Sequence, residues 1–319
     1  MPKIRGLAAG IGSMPHTEPD AALDLIFKYT PQIPFWPQLP KRDVREGMVA
    51  QFTQGLPCLR VSADGVFFDG SDKERELEKF YDRLIREDLG YFGIGADFAL
   101  GLHEFHRRLK GADLSGIEFI KAQVSGPFTF AASISDETGR LLLYDSVFMQ
   151  VILKGLAMKA LWQIDYFKEF NKPMVLFFDE PYLSAFGSGY TPLNREDVVK
   201  ILSEFCAGIK SKQVLLGVHC CGNTDWSIFT EIKDIDIINF DAFSFLDTFV
   251  LYAKDLKAFL ERGGIICWGI VPTLVLQENE LAAVLVRKVK EGINALVKKG
   301  VPESLLLERL IVSPACGLG

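Results

Sequence analysis

The sequence has little cysteine and no excess of basic charge, and both absences narrow its class. Six cysteines in 319 residues are too few for a disulfide scaffold. Lysine and arginine number 35 against 41 acidic residues, which gives a formal net charge of -6. This charge argues against a general affinity for nucleic acid, so we expect no nucleic-acid partner.

Long hydrophobic runs are also missing. The longest apolar stretch, 263–276, is interrupted by Pro272 and Thr273 and is shorter than the roughly 20 residues of a membrane helix. The start, Met1-Pro2-Lys3-Ile4, carries no apolar signal segment. We therefore expect a cytoplasmic protein without a membrane span. Nucleotide chemistry is not expected either, because no Gly-x-Gly-x-x-Gly fingerprint or phosphate loop occurs.

What the chain does have is an alternation of strand-like and helix-like segments. Apolar residues three and four positions apart, as in 151–164, predict helices between the strands. The pattern favours one domain over 1–319, an α/β protein folded as a single (β/α)8 TIM barrel. The eight predicted strands are 7–13, 35–40, 119–125, 174–179, 214–219, 235–240, 264–269 and 310–314.

The surplus over a minimal barrel lies early, at about 44–116. Within it, Asp64-Gly65 supplies the positive φ angles of a tight turn, which predicts a β-hairpin between the apolar runs on either side. Helical patterns over 73–88 and 98–110 follow. This insertion is expected either to form a lid or entrance wall or merely to cap a rim of the barrel.

Residues with metal-binding chemistry follow two of the predicted strands, as His219-Cys220-Cys221 and as Cys316. Because side chains alternate along a strand, His219 and Cys221 should point the same way and Cys220 away, as a small buried hydrophobe. Cys316 can join them at the same rim of the barrel. A His-Cys-Cys set with an open fourth position is typical of catalytic zinc. The alternative is that the three residues never meet.

Six short motifs occur in the order of one enzyme family. They are Ile11-Gly12-Ser13-Met14-Pro15, Ser125-Gly126-Pro127-Phe128-Thr129, Phe178-Asp179-Glu180-Pro181, His219-Cys220-Cys221, Asp236-Ile237-Ile238-Asn239-Phe240-Asp241 and Ser313-Pro314-Ala315-Cys316-Gly317-Leu318. On these motifs the chain resembles the catalytic half of the cobalamin-independent methionine synthases. The stretch 219–223 is equally similar to the corrinoid-protein:coenzyme M methyltransferases, which share the uroporphyrinogen decarboxylase-type barrel.

The resemblance implies zinc-dependent transfer of a methyl group to a thiol, with homocysteine converted to methionine. His219, Cys221 and Cys316 match the zinc ligands of the family. Asp241 falls where the methionine synthases have a glutamate ligand. This shorter carboxylate is expected to reach the metal, to bind it only when substrate is absent, or to contact His219.

The resemblance also implies two substrate contacts. Asp179 matches the aspartate that pairs with the amino group of homocysteine, and Ser13 matches a serine near its carboxylate. The structural alternatives are that Asp179 and Glu180 cap neighbouring backbone amides and that Ser13 is only a turn residue.

The chain departs from the family in two respects. It has no counterpart of the amino-terminal half that helps to bind the folate donor, so the methyl donor is open: a methylated corrinoid or corrinoid protein, or a folate or other small molecule. It also stops at Gly319, before the helix expected after the last strand. Two other functions stay open, a corrinoid-linked methyltransferase for another thiol such as coenzyme M and a catalytically silent zinc-binding barrel.

Overall fold

A computed structural model of the chain describes residues 4–188, 191, 193–273 and 282–319. Its strands are β1 (Leu7–Ala8), β2 (Leu59–Ser62), β3 (Gly65–Phe68), β4 (Ile120–Ser125), β5 (Met174–Asp179), β6 (Val214–Cys220), β7 (Ile237–Phe240), β8 (Ile265–Val271) and β9 (Leu310–Pro314). Seven of them form a parallel sheet in the order β1-β9-β8-β7-β6-β5-β4, while β2 and β3 form an antiparallel pair.

Helices connect and cover the strands of this sheet. They are α1 (Pro19–Tyr29), α2 (Lys73–Ile85), α3 (Leu100–Lys110), α4 (Pro127–Ala132), α5 (Ser146–Phe167), α6 (Arg195–Ile209), α7 (Trp226–Glu231), α8 (Leu246–Phe249), α9 (Ala253–Glu261), α10 (Ala282–Lys298) and α11 (Glu303–Glu308). Short 3-10 turns lie between them. The predicted α/β class and parallel sheet are therefore confirmed.

The two edges of the large sheet approach each other across residues 35–38. Phe35 forms an isolated bridge to Lys121 of β4, and Gln38 forms one to Ser13, which follows β1. The sheet is consequently curled like part of a barrel. A separate apolar cluster fills its concave side; its members come from the sheet and its flanking segments and include Phe119, Val175, Phe177, Leu215, Ile237, Ile265 and Ile311.

The predicted strand over 35–40 is wrong. Pro37 and Pro40 lie in this segment and Pro34 precedes it, and a proline has no N–H to donate to a neighbouring strand. The segment consequently makes only isolated bridges. The first predicted strand, 7–13, is reduced to Leu7–Ala8. The described strands of the sheet thus number seven, not the predicted eight.

The early insertion is present as predicted. Strands β2 and β3 pair so that Ser62 lies opposite Gly65, and Gly65 has a φ of 118°, which a glycine adopts without strain. Helices α2 and α3 follow. The insertion packs on α5, and Phe80 and Phe92 from it are completely buried.

Helix α5 continues into a 3-10 turn, and this run, Ser146–Phe170, is long and apolar enough to cross a membrane by length and composition. However, 61% of its apolar window is buried in the protein. It packs against α4, α6 and β4, as a core helix of a soluble protein does. The run is therefore only weak support for a membrane span. The sequence prediction overlooked it because Lys154 and Lys159 interrupt the apolar pattern.

Candidate metal centre

The structure brings His219, Cys221 and Cys316 together. His219 lies near the end of β6, Cys221 follows that strand, and Cys316 follows β9. One nitrogen or sulfur atom from each lies within 4.8 Å of those of the other two. Strands β7 and β8 lie between β6 and β9 in the sheet, so this approach depends on the curl of the sheet. The predicted meeting of the three residues is confirmed, and together they could hold a metal ion.

The orientation of His219 is fixed by Asn239, a completely buried residue of β7. The side-chain NH2 of Asn239 donates to the carbonyl of Cys267 at 3.0 Å and to the Ser313 hydroxyl at 2.9 Å. Its Oδ1 therefore accepts a hydrogen bond from Nδ1 of His219. This arrangement leaves Nε2 of His219 for a metal ion. Sequence reasoning missed this role of Asn239.

The three side chains form hydrogen bonds with one another, and these bonds shift the pKa of each. Hydrogen bonds from Cys221 and His219 lower the pKa of the Cys316 thiol, while the hydrogen bond to Cys316 and burial raise the pKa of Cys221. Burial alone would lower the pKa of His219, but the hydrogen bond to Cys316 and the charge of Asp179 outweigh it and raise that pKa. The site therefore favours a thiolate beside an imidazolium, and a divalent cation would displace these protons.

Cys220 lies on the opposite face of β6, as predicted. It is completely buried in the core between the sheet and the helices, and burial raises its pKa to about 12. Cys220 is not a member of the metal-binding group. The alternation of side chains along β6 thus separates the ligand from the packing residue.

A cavity of about 260 Å³ opens beside the three potential ligands. Asp179, at the end of β5, lines the cavity and is 6% exposed. Its Oδ1 is buried without a hydrogen-bond partner among the described residues. Burial raises the pKa of Asp179, and the charges of His219 and Lys121 partly offset that rise. Asp179 is therefore available to a cationic group in the cavity.

The role of Glu180 differs from that of its neighbour Asp179, because Glu180 caps a helix. Its carboxylate accepts hydrogen bonds from the backbone N–H groups of Phe128 and Thr129, at 2.9 and 2.8 Å, and from the Thr129 hydroxyl. These are donors of the first turn of α4, which a carboxylate stabilises. The capping role foreseen as the alternative for the acidic pair therefore belongs to Glu180 alone.

Ser13 lines the cavity and is tied to the segment that follows Cys316. The Ser13 hydroxyl accepts a hydrogen bond from the N–H of Gly319 at 3.2 Å, and the Ser13 carbonyl accepts one from Leu318 at 3.0 Å. A Cβ atom on Gly317 would lie 2.1 Å from the Ser13 hydroxyl oxygen. A side chain at position 317 would therefore displace the Ser13 hydroxyl or the chain that leaves Cys316, and Ser13 helps to hold the segment that follows this ligand.

Asp241 is not brought into the metal-binding group. Its carboxylate accepts a hydrogen bond from the N–H of Ser244 at 2.8 Å and so holds the turn after β7. Asp241 lines a second cavity, of about 600 Å³, whose wall also contains Cys221 and Cys316. The described group therefore supplies three ligands, and the predicted contact of Asp241 with the metal stays a prediction.

The cavity also contains residues that sequence reasoning did not select. Glu46, from the insertion, is completely buried, pairs with Arg42 at 2.5 Å and accepts the N–H of Leu39 at 3.1 Å. Burial raises its pKa. Gln38 lies beside it in the cavity wall. The only sequence signal for the ion pair is the spacing of four residues between Arg42 and Glu46, which is common on protein surfaces.

Comparison of the chain with models of known protein families gives no match, and comparison with curated proteins gives none either. The function is therefore inferred from the residues of the site.

Proposed function

We propose that this protein is a zinc-dependent methyltransferase that transfers a methyl group to the thiol of homocysteine and so makes methionine. One observation carries the proposal: the ligand group of His219, Cys221 and Cys316 shares a cavity with the unpartnered carboxylate of Asp179. A thiol that binds the metal would thus have an acceptor for its amino group in the same cavity.

The donor set suits zinc and thiol chemistry. One imidazole and two thiolates are ligands that zinc prefers, and three protein ligands leave a position for substrate. Two thiolates cancel the 2+ charge, so a third thiolate from the substrate carries the surplus negative charge and stays nucleophilic. Zinc, when bound, would lower the pKa of the substrate thiol. A site aimed at hydrolysis would more usually use histidine and carboxylate ligands.

The residues of the chain would orient the acceptor. Asn239 holds Nδ1 of His219, which keeps the imidazole directed at the metal position. Asp179 would accept hydrogen bonds from the substrate ammonium group, and Ser13 lies on the cavity wall where the carboxylate is expected. In the reaction a carbon–sulfur bond forms to the acceptor, the bond from the methyl carbon to its carrier breaks, and the carrier leaves with the electron pair. The methyl carrier is proposed to be a methylated corrinoid, a corrinoid protein or a folate.

Two observations support this acceptor and an enzymatic role. A thiol without an amino group, such as coenzyme M, would leave Asp179 buried and unpaired, which is costly. A silent zinc-binding barrel would be expected to have a closed metal site, whereas Cys221 and Cys316 are only half-buried and line cavities.

We also infer that residues 35–38 occupy the position of the eighth strand in a closed barrel. We infer in addition that the protein works in the cytoplasm.

Zinc content and zinc-edge X-ray absorption, measured before and after L-homocysteine is added, test the proposal. We expect one zinc per chain and one additional sulfur ligand with homocysteine. A protein that binds no zinc, or a zinc whose ligands do not change, would contradict methionine synthesis. Methyl transfer is then measured with each donor class in turn.

A further inference from the structure

Lys121 is a completely buried lysine on β4 beneath the candidate site. Its Nζ donates to the carbonyl of Ile11 and to the side-chain oxygen of Gln123 at 3.3 Å. It also lies 4.6 Å from the centre of the Phe177 ring. Both of these hydrogen-bond partners are neutral oxygens. A buried cation bonded only to neutral groups is costly, so a function of its charge would explain its presence.

The positive charges of His219 and Lys121 both act on Asp179, and Lys121 is the one of the two outside the metal-binding group. The other buried carboxylate of the cavity, Glu46, is neutralised by Arg42. Burial lowers the pKa of Lys121 to about 8, although the charge of Asp179 acts in the opposite direction. The ammonium form of Lys121 therefore predominates at neutral pH.

Lys121 and Asp179 act on different walls of the same cavity. Asp179 lines it directly, while Lys121 lies behind Ile11, which also lines it. Asp179 thus places a negative charge in the cavity wall, and Lys121 places a positive charge behind the part of the wall that Ile11 forms. An α-amino acid carries the complementary pair, an ammonium and a carboxylate on one carbon. Because the effective dielectric constant inside a protein is lower than that of water, a buried charge behind the cavity wall contributes to binding in the cavity.

We propose that Lys121 is a specificity-determining residue, whose buried charge selects thiols that carry a carboxylate, while Asp179 selects thiols that carry an ammonium group. This inference depends on the proposed function, because it concerns the acceptor of that site. It goes beyond it in naming the residue that selects for the carboxylate of the acceptor.

The test is calorimetric binding of four thiols to the zinc-loaded protein: L-homocysteine, 4-mercaptobutanoate, 3-aminopropane-1-thiol and propane-1-thiol. Lys121→Met keeps the size of the side chain and removes its charge. We expect it to weaken the two carboxylate-bearing thiols about tenfold and to change propane-1-thiol by less than about twofold. It should not weaken 3-aminopropane-1-thiol, because a nearby cation repels the ammonium group of that ligand. Lys159→Met is the matched control, because Lys159 is an equally buried lysine whose Nζ donates to Phe92, a residue that does not line the cavity, and it should change none of the four.

A measurement on the unchanged protein covers the case in which Lys121→Met does not fold. The unchanged protein should bind 4-mercaptobutanoate about tenfold more tightly than propane-1-thiol. Equal binding of these two ligands, or uniform weakening of all four by Lys121→Met, would overturn the role of Lys121 while leaving thiol methylation intact. Failure of every thiol to bind the zinc-loaded protein would overturn the proposed function itself.

Discussion

Asp179 of β5 and His219 of β6 are register partners at the ends of adjacent parallel strands. A buried carboxylate and a potential metal ligand therefore lie side by side, and strand pairing fixes their separation. The neighbouring Glu180 faces α4 and caps it. The candidate site thus consists of potential metal ligands and a buried carboxylate supplied by strand ends, where parallel α/β proteins usually place their chemistry.

The two adjacent cysteines of β6 and the cysteine after β9 should respond differently to replacement by serine. Cys316→Ser removes a thiolate from the ligand group, so we expect it to lose most of the zinc and of the activity. Cys220→Ser should keep nearly all the zinc, because Cys220 faces the outer core, and should cost about 1–2 kcal/mol of stability. Metal analysis of both purified variants is the measurement. Equal loss of zinc would mean that β6 is oriented the other way.

Asp179→Asn should weaken the binding of L-homocysteine by about ten- to a hundredfold, because a hydrogen bond between charged groups is lost. A thiol without an amino group should bind as before, and the zinc content should not change. Glu180→Gln is the matched control. Its amide NH2 would meet the backbone N–H groups of α4, so the melting temperature should fall while the affinity for homocysteine is kept. Loss of homocysteine binding in Glu180→Gln but not in Asp179→Asn would reverse the two assignments.

Asn239→Leu should lower zinc affinity about ten- to a hundredfold without removing any ligand, because His219 loses the partner of its Nδ1. Competition with a chelator of known affinity measures the effect. Asn239→Asp should recover most of it, since a carboxylate can accept the same hydrogen bond from Nδ1. If neither variant changes zinc affinity, Asn239 does not orient the ligand.

The candidate metal residues could be predicted from sequence, but their supports could not. Alternation along a strand is enough to separate Cys221 from Cys220, and a shared rim is enough to bring Cys316 near them. The contact of Asn239 with His219 depends on the register of β6 and β7, which a sequence does not display. The same limit applies to Lys121, whose burial is visible only once residues 35–38 and β4 enclose it.

The fold, too, could be predicted only in part. Most buried parallel strands were predictable, because apolar residues on both faces produce continuous apolar runs. The segment over 35–40 has such a run, which led to the wrong prediction of a strand. Its prolines lack the backbone N–H groups that a strand donates to its neighbour. The α/β class was therefore predictable, while the strand count was not.

The buried Lys159 predicts an unusual pH dependence of stability. Burial lowers the pKa of Lys159 to about 7, and within the described part of the chain its Nζ has a single hydrogen-bond partner, the Phe92 carbonyl at 3.3 Å. Between pH 7 and 10.5 the unfolded chain binds more protons at this residue than the folded chain does, so stability should rise with pH across this window. Lys159→Met should be more stable than the parent at pH 7, by on the order of 3 kcal/mol, and the gap should shrink toward pH 10.

Denaturant unfolding at pH 7 and pH 10 measures this difference. A smaller rise with pH should persist in Lys159→Met, because burial also lowers the pKa of Lys121. A variant that is less stable than the parent at both pH values would show that the hydrogen bond to Phe92 outweighs the cost of burying the charge.

Gly317→Ala should disturb the metal centre although it changes neither a ligand nor a substrate contact. The added Cβ would lie 2.1 Å from the Ser13 hydroxyl oxygen, so either this hydroxyl or the chain after Cys316 has to move. We expect zinc affinity to fall about tenfold or more, since the displaced backbone carries the Cys316 ligand with it. Gly116→Ala is the control, because nothing lies within 4 Å of its added Cβ. The double variant Ser13→Gly with Gly317→Ala removes the clashing hydroxyl and should recover most of the zinc affinity. Recovery would establish that Ser13 and Gly317 together position Cys316, whereas a loss that Ser13→Gly does not relieve would place the effect elsewhere in the segment.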